Sequence, residues 1–299
     1  DGRVDDRALH ADSRAARVHF VSVIGTRSAV DRDGEARDLE ARRSLLDSVT
    51  PILLTFDEMP NLERTFAALS WAKRIVVVDS GSTDGTLEWL SRDPRVELFS
   101  RRFDTFARQA EFGLRETGIG TPWVLSLDAD HVLSPQLVRE LEHLVVPDAV
   151  EAYEARFTYV IGGRPLRASL YPPRIVLARR KVARFVADGH AHRMQVDGAV
   201  RRLRGAIFHD DRKPRSRFLQ GQVRYAAEEA EKLLAPGARL GAADRLRRLG
   251  FVAPWLVPLW CLVVKRALLD GRAGWVYAGE RAVAEWLIAM AVWERRLRE

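Results

Sequence analysis

The 299-residue chain has a single cysteine, Cys261. One cysteine forms no internal disulfide, and without a CxxC or Cys/His cluster there is no structural zinc site. Cys261 lies in an apolar stretch, so it is expected to be a small buried hydrophobe rather than a nucleophile, in a chain suited to a reducing compartment. Neither GxxxxGK[ST] nor GxGxxG occurs, which leaves a phosphate-loop or dinucleotide-binding fold unsupported. No apolar run reaches the ~20 residues of a bilayer span. Phe251 to Val264 is interrupted by Pro254 and Pro258, and Trp275 to Trp293 carries Glu280, Arg281 and Glu285. No secretory signal is visible at the start, and there is no internal repeat or low-complexity tract.

Charge is present in quantity but unevenly placed. The formal net charge is +7 and the isoelectric point about 10.0. Residues 201–299 carry 20 Lys/Arg against 11 Asp/Glu, so the excess is C-terminal and the first 200 residues sum to −2. Nucleic acid and anionic lipid headgroups both attract such a surface. Five of the eight tryptophans (Trp255, Trp260, Trp275, Trp286, Trp293) follow residue 250, beside Lys265, Arg266 and the Arg295-Arg296-Leu297-Arg298 tail. Tryptophan flanked by cations is what a headgroup interface selects, and no nucleic-acid motif accompanies the charge. A membrane surface is therefore favoured as partner over nucleic acid. The same segment could also pack on its own domain or on a second copy in a homodimer.

Residues 1–47 alternate Asp and Arg around one short apolar run and are expected to form a largely disordered leader. From Ser48, short β-branched runs alternate with amphipathic segments, the signature of βα units and a mostly parallel sheet. Strands are predicted at Pro51–Phe56, with its proline at the start, at Arg74–Val78, at Val96–Phe99 and at Trp123–Leu127. Helices are predicted after Asn61, from Thr86, at Phe106–Leu114 and at Pro135–Leu144. Five shorter strands between Tyr153 and Phe208 suit an antiparallel addition. The predicted organisation is a nucleotide-binding α/β domain over 48–211, a helical connector over 212–250 and an amphipathic, membrane-associating segment over 251–299.

The acidic residues fall where the strands end. Asp57 and Glu58 follow the first strand, Asp79 ends the second, and Asp128 with Asp130 ends the fourth; an open parallel sheet binds ligands at that end. Asp128-Ala129-Asp130 at the exit of a buried strand would repel itself unless a cation sits beside it, and oxygen ligands favour Mg²⁺ or Mn²⁺. The alternative is a solvated turn with Asp130 capping a helix. In Asp79-Ser80-Gly81-Ser82-Thr83-Asp84-Gly85-Thr86 the glycines permit tight turns, Ser82 or Thr83 can cap the next helix, and Asp79 is placed to face a base or ribose.

Together these residues resemble glycosyltransferase family 2, the inverting group with the GT-A fold. The likeness runs through Pro51–Glu58 with Asn61, Ile75–Thr86, Phe106 with Gln109, and Trp123–Asp130. Tyr171-Pro172-Pro173-Arg174 and Leu269-Asp270-Gly271-Arg272-Ala273-Gly274 narrow it to the bacterial branch containing lipopolysaccharide-core glucosyltransferases. The resemblance implies a GT-A α/β domain and a nucleotide sugar donor, UDP-linked by preference. It also implies a lipid-linked or cell-envelope acceptor and a cytoplasmic location on the inner face of the membrane. Asp57 and Asp79 would hold the nucleoside, with Thr55, Glu58 and Asp84 beside them, and Arg108 and Gln109 the donor phosphates or sugar. Asp128 would serve ribose or cation, Asp130 would ligate the Mg²⁺ or Mn²⁺ directly, and His209 would complete its shell. Family members often show His-Glu where this chain has Ala187-Asp188-Gly189-His190-Ala191-His192. Asp188 is the first candidate for the base that inverting transfer requires, and His190 the second.

Two rival readings use the same residues. A haloacid-dehalogenase-type phosphatase would make Asp128 nucleophile and Asp130 acid, but that motif sits on a first strand, and no lysine lies between Lys73 and Lys181. A membrane scaffold keeping the fold without turnover is the other.

Overall fold

The computed structural model describes residues 44–188, 191–238 and 240–298. Most of the leader lies outside the described residues. Its last part does not: Leu45–Ser48 forms a 3₁₀ turn whose Leu45 and Leu46 are buried, so packing starts slightly ahead of Ser48.

The first half alternates strand and helix. It runs β1 (Val49–Thr55), α1 (Met59–Ala68), β2 (Ile75–Asp79), α2 (Thr86–Leu90), β3 (Val96–Ser100), α3 (Phe106–Arg115) and β4 (Trp123–Asp128). These strands lie in the order β3-β2-β1-β4, all parallel. Helices cover both faces, which is why the runs read as continuous Val/Ile/Leu instead of alternating. Leu53, Ile75, Val77, Leu125 and Leu127 point into one apolar layer with α1, while Ile52, Leu54, Val76, Val78 and Val124 point into the other with α3. Gly113 permits that second contact, since a Cβ there would stand 2.7 Å from Ile52 Cγ2. Pro51 is the third residue of β1 rather than its first; the ladder to β2 begins only at Ile52, so the proline lies beside an open side.

After β4 come β5 (His131–Leu133), α4 (Pro135–Glu142), β6 (Val150–Ile161), β7 (Arg164–Pro165), β8 (Arg174–Arg179), a hairpin of β9 (Arg184–Asp188) and β10 (Ala191–Gln195), and β11 (Ala199–His209). The sheet continues β4-β8-β6-β11-β5. The expected antiparallel addition holds for β4 with β8, β8 with β6 and β11 with β5, but β6 and β11 run parallel. The three-residue β5 is too short for periodicity to reveal.

Four helices close the chain: α5 (Arg215–Leu234), α6 (Ala242–Arg248), α7 (Ala253–Val263) and α8 (Arg272–Arg298). They are docked on the domain. Cys261, Ala267, Ala273 and Tyr277 form a buried cluster with Leu166 and Ala168 from the β7–β8 connection. Asp270 accepts hydrogen bonds from the backbone N–H of Arg167 (2.9 Å) and Ala168 (3.4 Å), and the Tyr277 hydroxyl accepts from Leu170 N at 3.0 Å. Gly274 has no space for a side chain, since a Cβ would lie 1.8 Å from the Ala267 carbonyl oxygen. Within α8 the buried Glu285 is paired with Arg247 at 2.6 Å. Among the described residues no helix is long and apolar enough to cross a membrane.

Candidate active site

Strand register brings the acids to one level. Thr55 pairs with Asp79 across β1 and β2, and Leu54 with Asp128 across β1 and β4. The carboxyl ends of three parallel strands therefore open on a single rim. The fourth contribution comes from far along the chain. Antiparallel pairing of β5 with β11 sets His209 opposite His131, and Asp210 N donates to the Asp130 carbonyl at 3.1 Å. Thr65 of α1 fixes the turn between them by donating to the Ala129 carbonyl at 2.6 Å.

The result is a buried cluster of Asp130, His131 and His209 whose ligand-type atoms lie within 4.8 Å of one another. His209 Nε2 is 2.9 Å from Asp130 Oδ2, while its Nδ1 is a buried polar atom without a partner. Burial alone would raise the Asp130 pKa, but His209, His131 and Lys213 outweigh it and hold the carboxyl far below its usual range. Burial works to lower the His209 pKa, yet Asp130 and Asp128 leave it above the ordinary histidine value. These acids thus favour the protonated form of His209. Ser134, not Asp130, caps α4, its hydroxyl accepting from Leu137 N at 3.1 Å.

His131 plays a different part. Its Nδ1 accepts from Asp128 N at 3.0 Å, so the neutral ring carries its proton on Nε2, 3.7 Å from Asp128 Oδ2 and 3.8 Å from Asp130 Oδ1. Burial lowers its pKa against the pull of both acids and keeps it neutral. It steadies the carboxylates rather than offering a lone pair. Of the converging atoms, those of Asp130 and His209 remain for a cation, and Asp128 adjoins them beside His131. A mix of carboxylate and imidazole fits Mn²⁺ better than Mg²⁺, which prefers oxygen alone.

The nucleoside candidates fall into two groups. Asp57 stands at the rim with a left-handed backbone (φ 51°), strained for a non-glycine residue; its Oδ1 accepts from Thr83 N at 2.7 Å and its Oδ2 pairs with Arg217 of α5. Asp79 corrects its expected role. It is fully buried, and it accepts from Thr55 Oγ1 (2.9 Å), Ser82 Oγ (2.5 Å), Gly81 N (2.8 Å) and Ser82 N (2.9 Å). Four bonds saturate a carboxylate, so Asp79 and Thr55 build the loop instead of facing a ligand. Asp84, rather than Ser82 or Thr83, receives the first N–H of α2, from Thr86 at 3.1 Å, and also binds Met59 N. Gln109 is likewise structural, donating to Ser80 Oγ and the Arg101 carbonyl. The Arg108 side chain is 75% exposed, 3.6 Å from Asp104, on the solvated face of α3.

Glu58 sits deeper. Asn61 donates to it at 2.7 Å and Lys213 at 2.5 Å. Burial raises its pKa to about 8 against the opposing pull of Lys213, and Asp130 adds to the rise. Asn61 also donates to Asp211 and accepts from Arg64 and from Arg212 N. Sequence reasoning missed Lys213, Arg64 and the hub role of Asn61, because these contacts join residues about 150 positions apart. Lys213 also weakens one argument against the phosphatase, since a lysine does reach the acids.

One wall is aromatic. Tyr171 stacks on Phe157 (4.6 Å) and meets His209 edge-on (5.7 Å), and the Arg174 guanidinium lies 4.5 Å above its ring. Beside it a recess opens, lined by Asp128, His131, Tyr171, Arg174, Phe185 and His192. The backbone of Asp188 pairs with Ala191 in the hairpin, whereas His190 lies outside the described residues. His192 is packed between Phe106 and Phe185, and burial holds its pKa below the ordinary value.

The carboxyl rim of this half-sheet thus carries paired acids, an imidazole and basic side chains. Residues 51–184 match the glycosyl transferase family 2 profile. That match, and the α/β fold it falls on, support a glycosyltransferase domain. Over 258 residues the chain is 26% identical to the lipopolysaccharide core biosynthesis glycosyltransferase LpsC of Rhizobium meliloti (strain 1021), covering 83% of this chain and 92% of that protein. Among solved structures, S. aureus TarS 1–349 in complex with UDP-GlcNAc is 13% identical, with a TM-score of 0.44 over 84% of this chain and 92% of that one. The same fragment with UDP gives 0.43.

Proposed function

We propose that the enzyme transfers a hexose, with inversion, from a UDP-sugar to a lipid-linked or cell-envelope glycan at the cytoplasmic face of the membrane, assisted by Mn²⁺ or Mg²⁺. The observation that carries this is the meeting of Asp130, His131 and His209, with Asp128 beside them, at the rim of the parallel strands. The likeness to a lipopolysaccharide-core enzyme supports the acceptor class. Asp130, Asp128 and His209 would hold the cation, which when bound offsets charge growing on the leaving nucleoside diphosphate. Lys213 adds a fixed ammonium beside the same acids; burial would lower its pKa, but Glu58, Asp130 and Asp211 keep it raised and charged. Asp57 and the loop braced by Asp79 form the nucleoside end. The recess beside Asp128 receives a sugar ring between Tyr171 and His192, and Asp188, with His190 second, takes the acceptor proton.

Thermal unfolding with UDP, with and without Mn²⁺, tests the proposal. UDP with Mn²⁺ is expected to raise Tm, and Asp130→Ala to abolish the metal-dependent part of the rise while the protein stays folded. A rise of equal size without metal, or stabilisation by a dinucleotide in place of UDP, would refute it. Hydrolysis of an aryl phosphate would support the phosphatase.

A further inference from the structure

We infer that the outward face of α7, with the turn after it and the start of α8, beds in plane into an anionic lipid bilayer. The inward face of α7 is accounted for: Ala253, Pro254 and Cys261 are buried, with Val257 and Leu262 packed beside them. A surface helix ordinarily turns polar residues outward. Here the outward positions are Trp255, Leu256, Leu259, Trp260 and Val263, with Trp255 70% and Leu259 55% exposed. The apolar surface continues through Phe251 and Val252 on one side and Leu268, Leu269, Trp275 and Val276 on the other. Scattered exposed leucines need no explanation, but a contiguous patch of this kind marks an interaction surface.

Charge selects the occupant. Exposed Arg245 and Arg248 precede the patch, and exposed Lys265, Arg266 and Arg272 come after it. The single acid between residues 249 and 276, Asp270, is turned inward onto the backbone of Arg167 and Ala168. Along this stretch of chain the exposed charges are therefore all cationic. A symmetric second copy docked through this face would set two positive rims together, whereas anionic headgroups meet them with opposite sign. Tryptophans among these cations suit the headgroup level. Eleven residues span only about 16 Å at 1.5 Å per residue, against a hydrocarbon core of about 30 Å, so the helix lies in the interface and does not cross it.

The layer beneath this surface adjoins the site. Tyr277 of α8 lies 5.1 Å from Tyr159, and Tyr159 lies 4.7 Å from His209. Two ring contacts separate the docked layer from the candidate cation ligand. The inference deepens the proposed function, and rests on it, only in treating the bilayer as the source of the acceptor.

Flotation of the full chain with vesicles of phosphatidylglycerol and phosphatidylethanolamine, against phosphatidylcholine alone, tests it. The unmodified protein is expected to float with the anionic vesicles. Trp255→Glu with Leu259→Glu should bind at least tenfold more weakly, and Lys265→Gln with Arg266→Gln severalfold more weakly. Both variants should keep the Tm rise with UDP and Mn²⁺, because the replaced side chains are exposed and remote from the rim. Absence of flotation, or flotation unaffected by the Trp255/Leu259 pair, overturns the inference. So does a dimer in sedimentation that this pair dissolves while vesicles bind nothing. A UDP–Mn²⁺ response without flotation sinks the docking alone, and flotation without that response sinks the transferase reading alone.

Discussion

At the scale of single residues, the site stores positive charge in protons where a divalent cation would otherwise supply it. Glu58 and His209 both have raised folded pKa values. Each binds more protons folded than unfolded, so its contribution to stability is complete at low pH and drains away as pH rises through the folded value. For Glu58 the window runs from 4.5 to about 8. Asp130 has the opposite sign: its depressed pKa contributes above 3.8 and is lost as pH falls below that. Metal-free protein is thus expected to lose stability from about pH 4.5 towards about 8, and Glu58→Gln to flatten that slope in urea titrations. Mn²⁺ bound through His209 would displace its proton, so affinity is expected to rise with pH above the ordinary histidine value and His209→Asn to weaken that dependence, as calorimetry would show. The base is separable from this. Asp188→Asn is expected to lower kcat by about 10²–10⁴-fold with the UDP–Mn²⁺ response intact. The same loss from His192→Asn, with Asp188→Asn silent, would move the role to His192.

At the scale of elements, the parallel half was legible because each βα unit carries its own signal. Strands covered on both faces read as unbroken apolar runs, and acids at their ends locate the rim. The half of the domain beyond β4 was less legible, since its partners are set over long separations. β5 has three residues, and the parallel partner of β6 is β11; within the parallel half, the enclosure of Asp79 depends on hydroxyls of Thr55, at the end of β1, and of Ser82, in the loop after β2. Sequence could supply the acid at the end of β2 but not the four donors that enclose it. Gly274 illustrates a packing rule that spacing alone hides. Gly274→Ala drives a methyl against a backbone oxygen that cannot rotate aside, so a loss of roughly 1–3 kcal/mol, and a lower Tm by calorimetry, is expected.

At the scale of the whole molecule, the basic, tryptophan-rich end is part of the folded body. Sequence reading expected an amphipathic segment with Val276, Val283, Leu287 and Met290 on one side; Val276, Val283 and Met290 are exposed along α8, and Leu287 is half-buried. The alternative it also offered, packing on the chain's own domain, holds for the opposite side of α8, which covers Tyr159, Ile161 and Leu170. A chain truncated before Phe251 should consequently expose that layer, bind a hydrophobic dye and unfold at lower temperature, whereas a detachable anchor would leave Tm unchanged.

The Tyr277 hydroxyl has one more implication, for engineering. By holding Leu170 N it anchors the connection that presents Tyr171 to His209. A chimaera that borrows its tail from another transferase would import a foreign buttress for the sugar pocket, so donor preference should travel partly with the tail.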